Sequence, residues 1–288
     1  GSGTLTKAGP GGLVLSGANS FSSINLTGGT LQLNTGNSAG EGNVAVSEGA
    51  TLSINAAGAP LIFENTVEGL GAVLVSGTGG VRLTATNTYA GGTTIASGSL
   101  FVSSELVLGT GAIAIAGGAS LVVDAPASAT IPVAISGFGE LVSSGSGVLT
   151  LSGSNTFSGG VKLSVGTLNL ASATALGTGP LTITGGDLAS EGILVLSSGN
   201  SIALGGDFSY RSPASLSLGT GPVALYASPS INVSVGVLSL GGNISGPFGL
   251  TKTGDGTLVL AGSNTYTGAT TVSAGTLLFT GANAVPIA

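Results

Sequence analysis

Residues 262–279 read GSNTYTGATTVSAGTLLF, a stretch with no lysine, arginine, aspartate, glutamate, histidine or cysteine. It is nevertheless closely specified, because three other stretches follow the same plan. SGANSFSSINLTGGTLQL occupies 16–33, TATNTYAGGTTIASGSLFV occupies 84–102 and SGSNTFSGGVKLSVGTLNL occupies 152–170. The shared order is Asn, then Ser or Thr, an aromatic, a short strand, a small-residue turn and a second strand. Asn19, Asn87, Asn155 and Asn264 anchor the four copies at intervals of 68, 68 and 109 residues. A fixed interval of this kind is the mark of a repeat architecture.

A second series keeps the same phase. LGTG stands at 108–111, 176–179 and 218–221, with the weaker AGEG at 39–42. Gly40, Gly109 and Gly177 each lie nine residues after Leu31, Leu100 or Leu168. The extra LGTG lies 42 residues after its predecessor and accounts for nearly all of the long third interval. An insertion that preserves phase adds whole structural units. The 42 residues therefore read as two coils of about 21, and a 68-residue module as three coils of about 23.

Inside the coils, LVLSG at 13–17, TLQL at 30–33, VLTLSG at 148–153 and TLLFTG at 276–281 are short and alternating, with Leu, Val and Ile expected on one face and Thr or Ser on the other. Period-2 alternation puts one set of side chains in a core and the other in water. Gly and Asn between the strands supply corners with positive φ. The expected fold is all-β, a parallel β-helix (β-solenoid) of about 13 coils running continuously over 1–288. Its modules fall at approximately 1–68, 69–136, 137–245 (with the two extra coils) and 246–288, the last one partial. Leu31, Leu100, Leu168 and Leu277 are expected to point inward as an aliphatic ladder. Phe21, Tyr89, Phe157 and Tyr266 are expected to stack in the core or at corners. The four asparagines are expected to bond backbone groups at corners, as structural positions.

Composition narrows the function. Charged residues make up 6% of the 288 positions, Gly accounts for 54, and His, Cys, Met and Trp are absent. Mean hydropathy is +0.61, yet no apolar run approaches the ~20 residues of a spanning helix. The five basic residues are scattered singly and net charge is −6, so no footprint for nucleic acid exists. Without cysteine there is no disulfide frame and no thiolate metal site. Without histidine there is no serine triad. The nearest acid pairs, Glu64 with Glu68 and Asp187 with Glu191, read as solvated corners, and neither catalytic, cofactor nor metal sites are assigned.

The segment LTKTGDGTLVLAGSNTYTGATTVSAGTLLF at 250–279 closely resembles the autotransporter-associated β-strand repeat, also called the passenger-associated transport repeat. LTKAGPGGLVLSGANSF at 5–21, VRLTATNTYAGGTTIASGSL at 81–100 and GVLTLSGSNTFSGG at 147–160 resemble it too. The resemblance implies an autotransporter passenger of a Gram-negative bacterium, exported through an outer-membrane β-barrel translocator and folded outside as a right-handed β-helix. The expected role is a non-enzymatic, extracellular or cell-surface stalk acting as spacer, adhesion scaffold or aggregation module, with homotypic association, lateral or end-to-end, as a further expectation. Two alternatives stand beside it: a subunit of a fibre built by end-to-end stacking, since residue 1 opens a repeat unit, and, more distantly, a β-helical polysaccharide-active enzyme. The ligand is not legible.

Overall fold

Strands of two to five residues, each ended by a glycine- or serine-rich corner, give a chain that turns constantly and never builds a long hairpin. The computed structural model describes residues 3–281. Every strand pair it contains is parallel, and the partner of each strand lies one coil away in sequence. Parallel strands in register at a constant sequence step define a β-solenoid, here of about 14 turns.

The chain divides into two compact units, Gly1–Asp124 with Val133–Glu140, and Ala125–Pro132 with Leu141–Ala288. In unit 1, sheet A joins Thr4–Lys7, Ser23–Leu26, Asn43–Val46 and Val67–Gly69. Sheet B stacks seven strands from Gly12–Leu15 to Ile135–Gly137. Sheet C supplies the third side with Leu61–Phe63, Val81–Leu83, Ser99–Val102 and Ser120–Val123. Unit 2 is built the same way. Its sides are strands of sheet C from Val161–Leu163 to Ile244–Ser245, sheet D from Ala129–Ile131 to Thr270–Val272, and sheet E from Leu194–Val195 to Thr276–Phe279. The 246–288 module reaches residues 282–288, and the opening repeat starts at residue 1; both ends lie outside the described residues.

Alternation places the core as the pattern dictates. Leu13, Leu31, Leu52 and Val73 are register partners on sheet B, as are Leu149, Leu168 and Leu188 on sheet D. Leu31, Leu100 and Leu168 are fully buried, and Leu277, in the last strand described, is half-buried. The four equivalent leucines sit on sheets B, C, D and E, so they do not stack on one another. Each is a rung in the aliphatic column of its own sheet.

The coil is shorter than the sequence spacing suggested. Register steps run from 18 residues (Gly12 to Thr30) to 23 (Val44 to Val67), and most lie near 20. A 68-residue interval is therefore not three whole coils but about three and a third. That third of a coil has a consequence for where each repeat faces. In unit 1, Asn19 lies on the side later occupied by sheet C, since its N–H bonds Asn37 O and the loop of Asn37 packs on Leu61–Phe63. Asn87 lies one side further round, over the last strand of sheet A. In unit 2, Asn155 lies on the side that becomes sheet E, and Asn264 lies over the end of sheet C. The corners at 176–179 and 218–221 are two coils apart on the sheet E side.

Candidate functional site: asparagine clamps and the bays they close

Each repeat interrupts one side of the solenoid. Residues 17–22, 84–92, 152–160 and 262–269 form no strand, and in the first three repeats the next coil is also strandless on that side. It runs there as short 3-10 turns at Gly36–Ala39 and Glu105–Val107 and as turns over 172–178. Such a two-coil bay loses part of the regular ladder, and buried N–H and C=O groups must find partners elsewhere. Asparagine supplies them, since its amide offers one acceptor and one donor group in fixed relation.

Asn87 shows the device most fully. Its Oδ1 accepts the Val67 N–H of the preceding coil at 2.7 Å, and its Nδ2 donates to Val107 O of the following coil at 2.7 Å. The residue is buried, so one side chain ties three consecutive coils. Asn155 Nδ2 donates to Ala175 O at 2.7 Å, Asn19 Nδ2 to Ser38 O at 2.9 Å, and Asn264 Oδ1 accepts Ile244 N–H at 2.9 Å. The accepting carbonyls Ser38, Val107 and Ala175 each stand two residues before Gly40, Gly109 and Gly177. The two sequence series are thus adjacent coils of one bay. Those glycines are forced: at Gly109 and Gly177, φ is +68° and +62°, and a Cβ would strike the carbonyl oxygen of Tyr89 or Phe157.

A second pair of asparagines closes the bay from its far side. Asn65 Nδ2 donates to Gly40 O (2.9 Å) and Gly42 O (2.7 Å), and Asn200 Nδ2 donates to Gly177 O (3.1 Å) and Gly179 O (2.6 Å). Sequence reading missed both. They lie in FENT and SGNS, outside the repeat, and the only signal available was their spacing of 21–25 residues from the glycines they bond.

The aromatics sit inside. Tyr89, Phe157 and Tyr266 are buried, whereas Phe21 is half-buried. The Tyr89 and Tyr266 hydroxyls bond Thr93 Oγ1 (2.7 Å) and Thr270 Oγ1 (2.6 Å). Burial pushes Tyr89 up to about 12, against the smaller opposing effect of its bond to Thr93. The LTK lysines are also internal. Lys252, fully buried, donates to the carbonyls of Thr253 (2.7 Å), Gly254 (2.7 Å) and Ala274 (3.2 Å), and Lys7 does the same for Ala8, Gly9 and Gly28. Burial lowers the Lys252 pKa, with the charge of Asp255 opposing it. At the matching position the other two repeats place Val75 and Ser143, so the corner accepts either a lysine cage or a small buried residue.

The acid pairs picked from sequence do not act as pairs. Glu68 accepts from Asn43 Nδ2 at 2.5 Å, Asp187 pairs with Arg211 at 2.7 Å, and Glu191 accepts from Asn169 Nδ2 at 3.2 Å. Arg82 grips Asp124 with its two terminal guanidinium nitrogens and lies 5.3 Å over the Phe101 ring; the hydrogen bond to Asp124 raises its pKa, aided by that carboxylate's charge and opposed by burial. Among the described residues no group of three His, Cys, Asp or Glu side chains could hold a metal ion. No described helix is long and apolar enough to cross a membrane.

The passenger-associated transport repeat family matches residues 5–33, 75–101, 141–170 and 250–283, the four clamp-bearing segments. The chain carries four passenger-associated transport repeats. It is also similar to the adhesin BmaC autotransporter of Brucella suis biovar 1 (strain 1330), with 34% identity over 249 residues, covering 69% of this chain and 7% of that protein. The chain thus spans a small fraction of the relative it matches. No solved structure matches it. In every repeat the defining asparagine bonds a neighbouring coil, and in three of the four the aromatic is buried in the core, so these positions serve the scaffold.

Proposed function

We propose that this chain is a non-enzymatic segment of the passenger of a surface adhesin in a Gram-negative bacterium, delivered through an outer-membrane β-barrel translocator. One observation carries the reading: the polar groups of the repeats are turned to inter-coil backbone bonds rather than to a shared reactive centre. A stack held by nearest-neighbour contacts grows coil by coil, so folding outside the membrane can draw the chain outward without a nucleotide. The scaffold then holds irregular corners and bays away from the cell, where recognition residues can vary without cost to the core.

The test is to express the chain, fused to a signal peptide and a translocator barrel, in a non-adherent Gram-negative host. The expected result is a chain digestible by external protease in intact cells, and adhesion of those cells to epithelial monolayers above the barrel-only control. Retention in the periplasm, or surface display with adhesion equal to that control, overturns the proposal. Hydrolysis or eliminative cleavage of a polysaccharide by the purified chain would restore the enzyme reading.

A further inference from the structure

Two bays share a clamp and differ in their lining. In unit 1, Asn19 and Asn65 hold the turn of residues 36–42 from either side, and in unit 2 Asn155 and Asn200 hold residues 173–179 in the same way. Between the two clamped glycines unit 1 has Glu41 where unit 2 has Thr178. Just before the far asparagine unit 1 has Glu64 where unit 2 has Gly199. The clamp closes in unit 2 without either carboxylate, so the glutamates are not needed to build it. In unit 1 they line a cavity of about 430 Å³ together with Asn19, Asn37 and Asn65, its wall completed by alanine and glycine. That volume is within the range of small-ligand sites.

We propose that this bay binds a neutral saccharide, an inference that rests on the adhesin reading and names the chemistry it would recognise. Glu41, Glu64 and the Asn37 side chain are exposed, while Asn19 and Asn65 spend their Nδ2 donors on the backbone. The bay thus presents two carboxylates, which only accept, and one amide, which accepts and donates. Vicinal hydroxyls meet both needs, donating to the carboxylates and accepting from Asn37 Nδ2. An ammonium or guanidinium ion would leave that donor unused, and at exposed carboxylates its pairing is worth little. No basic side chain lines the cavity, so sialylated, sulfated or uronic sugars are repelled. Glycine and alanine walls let a sugar ring approach the backbone closely. Phe21, half-buried beside Glu41 in an adjoining hollow, offers a ring edge or face to a second sugar unit.

The experiment is an NMR titration of the isotope-labelled chain with lactose, maltotriose, chitotriose and mannotriose, with sialyllactose as the acidic control. At least one neutral sugar is expected to shift the amides of residues 18–19, 36–42 and 64–65 in the millimolar range, unchanged by EDTA, while sialyllactose does not. The double variant Glu41→Thr with Glu64→Gly writes the unit 2 residues into the unit 1 bay, and is expected to weaken binding about 10-fold or more while the thermal midpoint stays put. Glu41→Gln with Glu64→Gln, which keeps shape, is expected to bind with intermediate strength. Absence of shifts with all four neutral sugars, shifts surviving in E41T/E64G, or shifts that need calcium would each overturn the proposal. Cells displaying E41T/E64G separate the two readings. Adhesion that persists undiminished while no sugar binds sinks the bay and leaves the adhesin, whereas no adhesion by either chain sinks the adhesin reading.

Discussion

Replacing Asn87 tests the clamp directly. Asn87→Ala removes the acceptor for Val67 N–H and the donor to Val107 O, both at 2.7 Å in a buried setting. A buried polar group left without a partner costs about 1–3 kcal/mol, so two such groups cost about 2–6 kcal/mol. The bay is strandless on both coils, which lets water reach one of the two groups, and the expected loss is about 3 kcal/mol. Asn87→Asp discriminates further. Its ionised carboxylate still accepts from Val67 but turns its second oxygen on Val107 O, so at neutral pH it should cost at least as much as alanine. Protonation restores a donor, so the folded chain holds that proton more tightly than the unfolded one and its pKa rises above the usual ~3.9. A raised folded pKa means stability that is present below ~3.9 and lost as pH climbs through the folded value. The Asp variant should therefore approach wild type in acid and fall away toward neutrality. Urea unfolding at both pH values gives the free energies, and hydrogen exchange of the Val67 amide localises them. An Asn87→Ala protein within about 0.5 kcal/mol of wild type, with Val67 still protected, would refute the reasoning.

Three other outcomes follow from the same geometry. Lys252→Met removes a charge whose burial is unfavourable but strands three carbonyls, and the second effect wins, with an expected loss of about 2–4 kcal/mol by denaturant unfolding. Tyr89 keeps its proton in the folded chain to about 12, so raising pH from ~10 toward that value should remove about 2–3 kcal/mol of stability; Tyr89→Phe should flatten this pH dependence while losing about 1 kcal/mol at pH 7 from the bond to Thr93. Gly177→Ala places a Cβ against Phe157 O at a φ of +62°, and its thermal midpoint should drop by an amount equivalent to more than about 2 kcal/mol, while Gly192→Ala, also at positive φ but with open space around it, should lose less.

Sequence reading reached far in one direction. The alternation in TLQL, TLNL and TLLF decides which face is buried, because successive side chains of a strand point to opposite sides whatever surrounds them. Asn87 and Asn155 were legible as corner residues because their motif recurs at equal intervals. Asn65 and Asn200 were not, because their role is set by a glycine one coil earlier and no local pattern marks it. The meeting of Glu41 with Glu64 was not legible for a related reason: they lie 23 residues apart in sequence but line one cavity, whereas Glu64 and Glu68, the nearest acids in sequence, were read only as a solvated corner.

Local order, strand faces, parallel stacking and the repeat family were thus determined by sequence alone, since each depends on neighbours within a few residues or on a fixed interval. Coil length and the side on which each repeat lies were decided only by the tertiary structure. They depend on the running total of residues around every corner. A difference of two or three residues per coil, invisible in any one turn, moves the next repeat by a third of the circumference. Within each unit that shift turns two nearly identical segments into clamps on different faces, free to carry different linings.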